Sequence, residues 1–110
     1  EEQPVAVDLA SVRAGQERRT SCLITHIPRS VTREQLAAEI DAVVPGQYDC
    51  LVRPILPFRH GSDDFAFINL TSGEALVHFF EALHGRDLTP DGVGPRLEVE
   101  FSREQGSRKL

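Results

Sequence analysis

DDFAFINL (Asp63–Leu70) places large apolar side chains at alternate positions behind two adjacent acids, as the sequence of a half-buried β-strand does. A side-chain period of two sends Phe65 and Phe67 to the same side of that strand. If this side faces solvent, the two rings form a flat surface on which planar ligand groups can stack, while Asp63 and Asp64 set a negative field at its start. Which side faces the core depends on what the rest of the chain supplies.

Outward from this strand, YDCLVRPI (48–55) reads as a second strand, with Tyr48, Cys50 and Val52 on one face and Asp49, Leu51 and Arg53 on the other. A Pro-, Gly-, His- and Ser-rich loop (56–62) joins the two. Further upstream, SCLITHIP (21–28) is a short β-rich run ended by proline. In SVTREQLAAEIDAVVPG (30–46), Thr32 and Gln35 have the spacing of a capping box, Leu36, Ile40 and Val43 or Val44 form a buried stripe, and Pro45-Gly46 ends the helix. Downstream, SGEALVHFFEALHG (72–85) repeats Leu76, Phe79, Phe80 and Leu83 at helical spacing and ends on Gly85, suited to a left-handed C-cap. A turn cluster (89–95) precedes RLEVEF (96–101), which sends Leu97, Val99 and Phe101 inward and Glu98 and Glu100 outward.

The order β-α-β-β-α-β is the split βαβ of an α+β, ferredoxin-like fold. Right-handed crossovers place both helices on one face of a four-stranded antiparallel sheet, in spatial order 4-1-3-2, and leave the other face open. The alternation assigns Leu23, Thr25, Leu51, Arg53, Phe65, Phe67, Glu98 and Glu100 to that open face. Cys22 and Cys50 then sit on strands separated by a third and are too far apart to bridge. The leader DLASVRAG (8–15) is expected to form a short extra helix capped by Asp8 and ended by Gly15. The chain is read as a flexible lead over 1–7, one domain over 8–106 and a tail over 107–110.

Composition narrows the function. With 110 residues, 40% hydrophobic and 26% charged, the chain fits one intracellular globular domain, and no apolar run is long enough to span a bilayer. A net charge of −5 argues against a sequence-blind binder of nucleic acid. The two cysteines, single and in apolar runs, signal neither zinc nor a disulfide framework. His26, His60, His78 and His84 show no ligand spacing, Asp63 and Asp64 lack a third ligand, and no nucleophile or phosphate-loop motif is present, so neither cofactor nor enzyme activity is expected.

The third strand resembles the RNP1 octamer of RNA recognition motifs, and CLITHI (22–27) resembles their RNP2 hexamer. The chain is most similar to the C-terminal RNA recognition motif of Mei-two-like meiosis regulators. That resemblance runs through DLASVRAGQERRT, IPRSVTREQLAAEID, GQYDCLVRPI, FAFIN and FSREQG, from Asp8 to Gly106. It implies an RNA-binding module in a protein of meiotic or developmental control, nuclear or cytoplasmic, whose open sheet stacks bases on Phe65 and Phe67. Asp63 and Asp64 replace a basic residue and glycine of the general motif, Leu23 stands where an aromatic is common, and His26 where asparagine is usual.

On this reading single-stranded RNA lies across Leu23, Thr25, Phe65 and Phe67. Phosphates are met by Arg53, Arg103, Arg108 and Lys109, with Arg18, Arg19 and Arg29 as a second set. Two alternatives stand beside it. The C-terminal segment could fold over the two rings, or the acidic face of Asp63, Asp64, Glu98 and Glu100 could serve a protein partner instead.

Overall fold

The ladder that organises the molecule joins β2 (Ser21–Ile27) to β4 (Asp64–Leu70), antiparallel, with Ser21 opposite Asn69, Leu23 opposite Phe67 and Ile24 opposite Ala66. β5 (Glu98–Phe101) lies on the far side of β2, and β3 (Tyr48–Val52) on the far side of β4. A further strand, β1 (Val5–Ala6), pairs with β5 and gives the order β1-β5-β2-β4-β3. The computed structural model describes residues 5–54, 64–89, 92–102 and 105. Apart from β1 the order is the expected 4-1-3-2, and Cys22 and Cys50 are free thiols on strands that β4 separates.

Three helices begin where their capping residues sit. α1 (Leu9–Arg13) starts at Asp8, whose carboxylate accepts from Ala10 N–H, and the chain turns away through Gly15 at φ 77°. α2 (Arg33–Asp41) has the full capping box: Thr32 Oγ1 accepts from Gln35 N–H and Gln35 Oε1 from Thr32 N–H. α3 (Gly73–Leu83) is capped by Ser72 and leaves through Gly85 at φ 85°, a conformation that only glycine adopts without strain.

The core lies between one sheet face and the helices. Ile24, Ile27, Ile68, Leu70, Val99 and Phe101 from the sheet meet Leu36 and Ile40 of α2 and Leu76, Phe79 and Leu83 of α3. Each such side chain contributes roughly 1.5–3 kcal/mol by leaving water. The leader helix adds Val12, buried beside Gly73, and an ion pair from Arg13 to Glu81 ties α1 to α3.

Two expectations change. Val5 and Ala6, read as part of a flexible lead, form the edge strand β1. In β3 the faces are reversed beyond Asp49, because the register shifts between Tyr48 and Cys50. Asp49 is the extra residue of a bulge, and one inserted residue flips every side chain after it. Leu51 therefore points into the core at 6% exposure, while Cys50 and Val52 face outward, Val52 at 37%.

This register is checked by truncation. Leu51→Ala should cost about 2–5 kcal/mol in urea unfolding, as buried leucines do. Val52→Ala should stay within about 0.5 kcal/mol, as for an exposed position. The reverse ranking would restore the uninterrupted alternation.

Candidate nucleic-acid interface

On the side of the sheet away from the helices, the strand register aligns one row across all five strands: Val52, Phe67, Leu23, Glu100 and Ala6. Phe65 stands two residues from Phe67 on the same face, and Thr25 opposite Glu98 continues it toward β5. Leu23, Thr25 and Phe65 are half-buried. The structure thus brings together four of the predicted contact residues: Leu23, Thr25, Phe65 and Phe67.

The two rings are not equally open. Phe67 is absent from the helix-side core, yet it is only 5% exposed, so it is shielded on the open face of the free protein. The expected pair of solvent-facing rings is therefore one accessible ring, Phe65, beside one covered ring.

Arg53 is not on this face. The β3 bulge turns it to the helix side, where its side chain is 5% exposed. Its Nε and Nη2 donate to Val31 O at 3.2 and 3.0 Å, and Nη2 also to Pro28 O at 3.3 Å. Nη1 reaches Phe65 O at 3.5 Å and Asp64 Oδ2 at 3.4 Å. A guanidinium so occupied holds the β2–α2 turn against the start of β4 and has little left for a phosphate.

Asp64 changes with it. The carboxylate is buried beside Arg53, with Oδ1 facing Arg29 Nε at 4.0 Å and accepting no hydrogen bond. Its charge is compensated inside the protein and does not project from the sheet. Asp63, Arg103, Arg108 and Lys109 lie outside the described residues. Of the second basic set, Arg18 is exposed, while Arg19 binds Glu17 in a fork at 2.8 and 2.9 Å and lies over the Phe101 ring at 4.7 Å.

The opposite end of the face is tied by polar groups. Asn69 Oδ1 accepts from Ser21 Oγ at 2.6 Å and Thr20 Oγ1 at 3.0 Å, and its Nδ2 donates to Asp49. Gln105 Oε1 accepts from Thr20 and Ser21 N–H, and Nε2 donates to Ser21 and Ser102 carbonyls. The chain beyond β5 is thereby fastened to the start of β2.

Two histidines have structural roles that spacing did not suggest. His26 adopts φ 65° where β2 slips register against β4 between Ile24 and Ile27. Asn and His enter this left-handed region more readily than most residues, so a histidine meets this turn at modest cost. His84 stacks on Phe80 with ring centroids 4.4 Å apart, and its Nδ1 accepts from Val99 N–H at 3.0 Å. A histidine one residue before a C-terminal helix glycine was the available signal. His78, as expected, is exposed. Among the described residues no three His, Cys, Asp or Glu side chains are grouped to hold a metal, and no helix is long and apolar enough to cross a membrane.

A split-βαβ sheet with both crossover helices on one side and two RNP1-position phenylalanines on the other is the architecture of an RNA recognition motif. The chain belongs to the RNA recognition motif 2 family, whose profile matches residues 19–110. It is similar to Protein MEI2-like 1 of Arabidopsis thaliana, 32% identical over 104 residues that make up 94% of this chain and 11% of that protein. Protein MEI2-like 5 of Oryza sativa subsp. japonica is likewise 32% identical, over 94% of this chain and 13% of its own length. The chain thus spans roughly a tenth of these curated relatives.

Solved structures share the fold. The RNA15 RRM superposes with a TM-score of 0.62 at 22% identity, over 78% of this chain and 92% of that one. A Sex-lethal protein/RNA complex gives 0.60 at 22%, over 81% and 50%. Yeast Prp24 RRM2 bound to a fragment of U6 RNA gives 0.58 at 22%, over 80% and 95%.

Arg53→Ala should cost about 3–5 kcal/mol of stability, because it strips the buried Asp64 carboxylate of its nearer cation and leaves it only the exposed Arg29 at 4.0 Å. A loss of RNA affinity with an unchanged denaturation midpoint would instead return Arg53 to the open face. The Arg19 side chain and backbone N–H hold the Glu17 carboxyl down to about 2, from an ordinary 4.5. A depressed carboxyl stabilises the fold above its unfolded pKa, so this contribution is present above about pH 4.5 and fades as pH falls toward 2. Glu17→Gln should flatten the stability–pH curve in that window.

Proposed function

We propose that the open sheet face binds single-stranded RNA by base stacking on Phe65 and Phe67, flanked by Leu23 and Thr25, in a Mei-two-like RNA-binding regulator. The observation that carries this reading is the juxtaposition of Phe65, Phe67 and Leu23 on the side of the sheet opposite the helices, in a chain of the RNA recognition motif 2 family. Two structures of the same fold are complexes with RNA, and the similar MEI2-like proteins carry the name of the proposed class. Such a partner places the domain's work in the nucleus, the cytoplasm or both.

Phe65 makes the first stacking contact. Phe67 becomes a stacking surface only when its shielding is displaced, which subtracts from the binding energy. Phosphate contacts fall to Arg103, Arg108 and Lys109, since Arg53 is committed internally. The domain is acidic overall, so neutralising charge must come from such local groups and affinity should fall with salt.

A second reading has its own observation. Glu98 and Glu100 stand on the same face, in line with Thr25 and Leu23, and suit a basic peptide. Phe65→Ala separates the two. It should weaken binding of a fluorescent single-stranded RNA by about 1–3 kcal/mol with little change in melting temperature. Phe67→Ala should lower both affinity and stability, and duplex RNA should bind less well than single strands because its bases remain stacked. Unchanged RNA affinity in both variants would favour the peptide.

A further inference from the structure

Beside the proposed stacking face, where β2 ends and β5 begins, lies a cavity of about 410 Å³ lined by His26, His84, Gly85, Arg96 and Glu98 among others. This is toward the small end of the range for small-ligand pockets and exceeds the volume of one nucleobase. We propose that it is a guanine-binding pocket, extending the path of a single strand past Thr25 and Glu98. The placement of that path rests on the sheet-face reading; the pocket's own chemistry does not.

The walls are held in place by the backbone. Gly85 N–H donates to Leu97 O at 2.7 Å, Leu97 N–H to Arg86 O at 2.7 Å, and Asp87 and Arg96 form an isolated β-bridge. Arg96 Nη1 donates to Gly85 O at 3.1 Å, which fixes the guanidinium at the rim and leaves its other N–H groups to donate. Glu98 is oriented by His26 Nε2 at 3.3 Å from Oε1. Because His84 Nδ1 accepts from Val99, its proton resides on Nε2, which makes this ring a further donor at the wall.

These groups select among ligands. One guanidinium and one carboxylate cancel, so the pocket offers no net charge to a phosphate or a divalent cation and suits a neutral polar ring. Guanine carries two adjacent donors, N1–H and the N2 amino group, which match the two acceptor oxygens of a carboxylate. Its O6 and N7 acceptors match an arginine fork. Adenine, cytosine and uracil each place an acceptor where Glu98 requires a donor.

The test is a titration of the ¹⁵N-labelled domain with 5′-GMP, 5′-IMP, 5′-AMP and 5′-UMP, following the amides of Gly85, Leu97 and Glu98. GMP should shift these resonances and bind about tenfold or more tightly than AMP or UMP. IMP, which lacks the N2 amino group, should bind more weakly than GMP. Glu98→Gln presents one donor and one acceptor, so it should abolish the preference for GMP and move it toward AMP. Equal response to all nucleotides, none at these amides, IMP equal to GMP, or a GMP preference that survives in Glu98→Gln would each overturn the pocket. If Glu98→Gln fails to fold, the IMP comparison on the unaltered protein decides. Failure of the sheet-face reading looks different: GMP still shifts these amides, while no single-stranded oligonucleotide binds and Phe65→Ala changes nothing.

Discussion

A single guanidinium closes the β3 end of this domain. Arg53 donates to Val31 and Pro28 carbonyls in the turn between β2 and α2, touches the Phe65 carbonyl in β4, and pairs with Asp64. These are backbone acceptors at places where the chain leaves regular structure, so a buried side chain must satisfy them in place of water. With Arg53 in position, the start of β4 is fixed relative to β2 and β3, and the alternation that follows is forced. Phe65 and Phe67 then turn away from the helices, while Ala66, Ile68 and Leu70 enter the core. The open face thus begins beside one buried charge.

The same pair alters the electrostatics of the face. An acid at the second RNP1 position looks, as sequence, like a repulsive charge beside a phosphate path. Inside the fold Asp64 is the counter-ion of Arg53 and contributes little to the outer field. Among the described residues, Glu98 and Glu100 on β5 stand on this face across β2 from the rings, Glu98 engaged with His26, and Asp49 stands at the β3 side bonded to Asn69. Among the described residues the negative charge on this face thus lies at its flanks, on β5 and at the β3 bulge, and the Phe65–Phe67 stretch of β4 between them is apolar.

Much of this was legible in the sequence for local reasons. Thr32 with Gln35, Asp8 before α1 and Gly85 after α3 are short-range chemistry, and all three behave as their spacing indicates. Strand order followed from crossover handedness, which depends on element order alone. What could not be read were features set by distant partners. The Asp49 bulge leaves no mark in composition, yet it moved Leu51 inward and Arg53 off the open face. Val5 and Ala6 are a strand only because β5 offers them an edge. Phe67 has the right position for stacking, but its shielding depends on tertiary packing, which alternation cannot report.

The pairing of β1 with β5 bears on how the domain responds to mechanical force. Val5 lies opposite Phe101, so the chain enters β1 and leaves β5 side by side, at neighbouring positions on antiparallel strands. Tension applied through flanking polypeptide loads the hydrogen bonds of this pair in succession, as in opening a zipper, because they run across the strands and along the pull. The two-residue β1 would peel away at low force, whereas tension from the C-terminal side meets the bonds of Ser102 and Gln105 to Ser21 and so reaches the start of β2 directly.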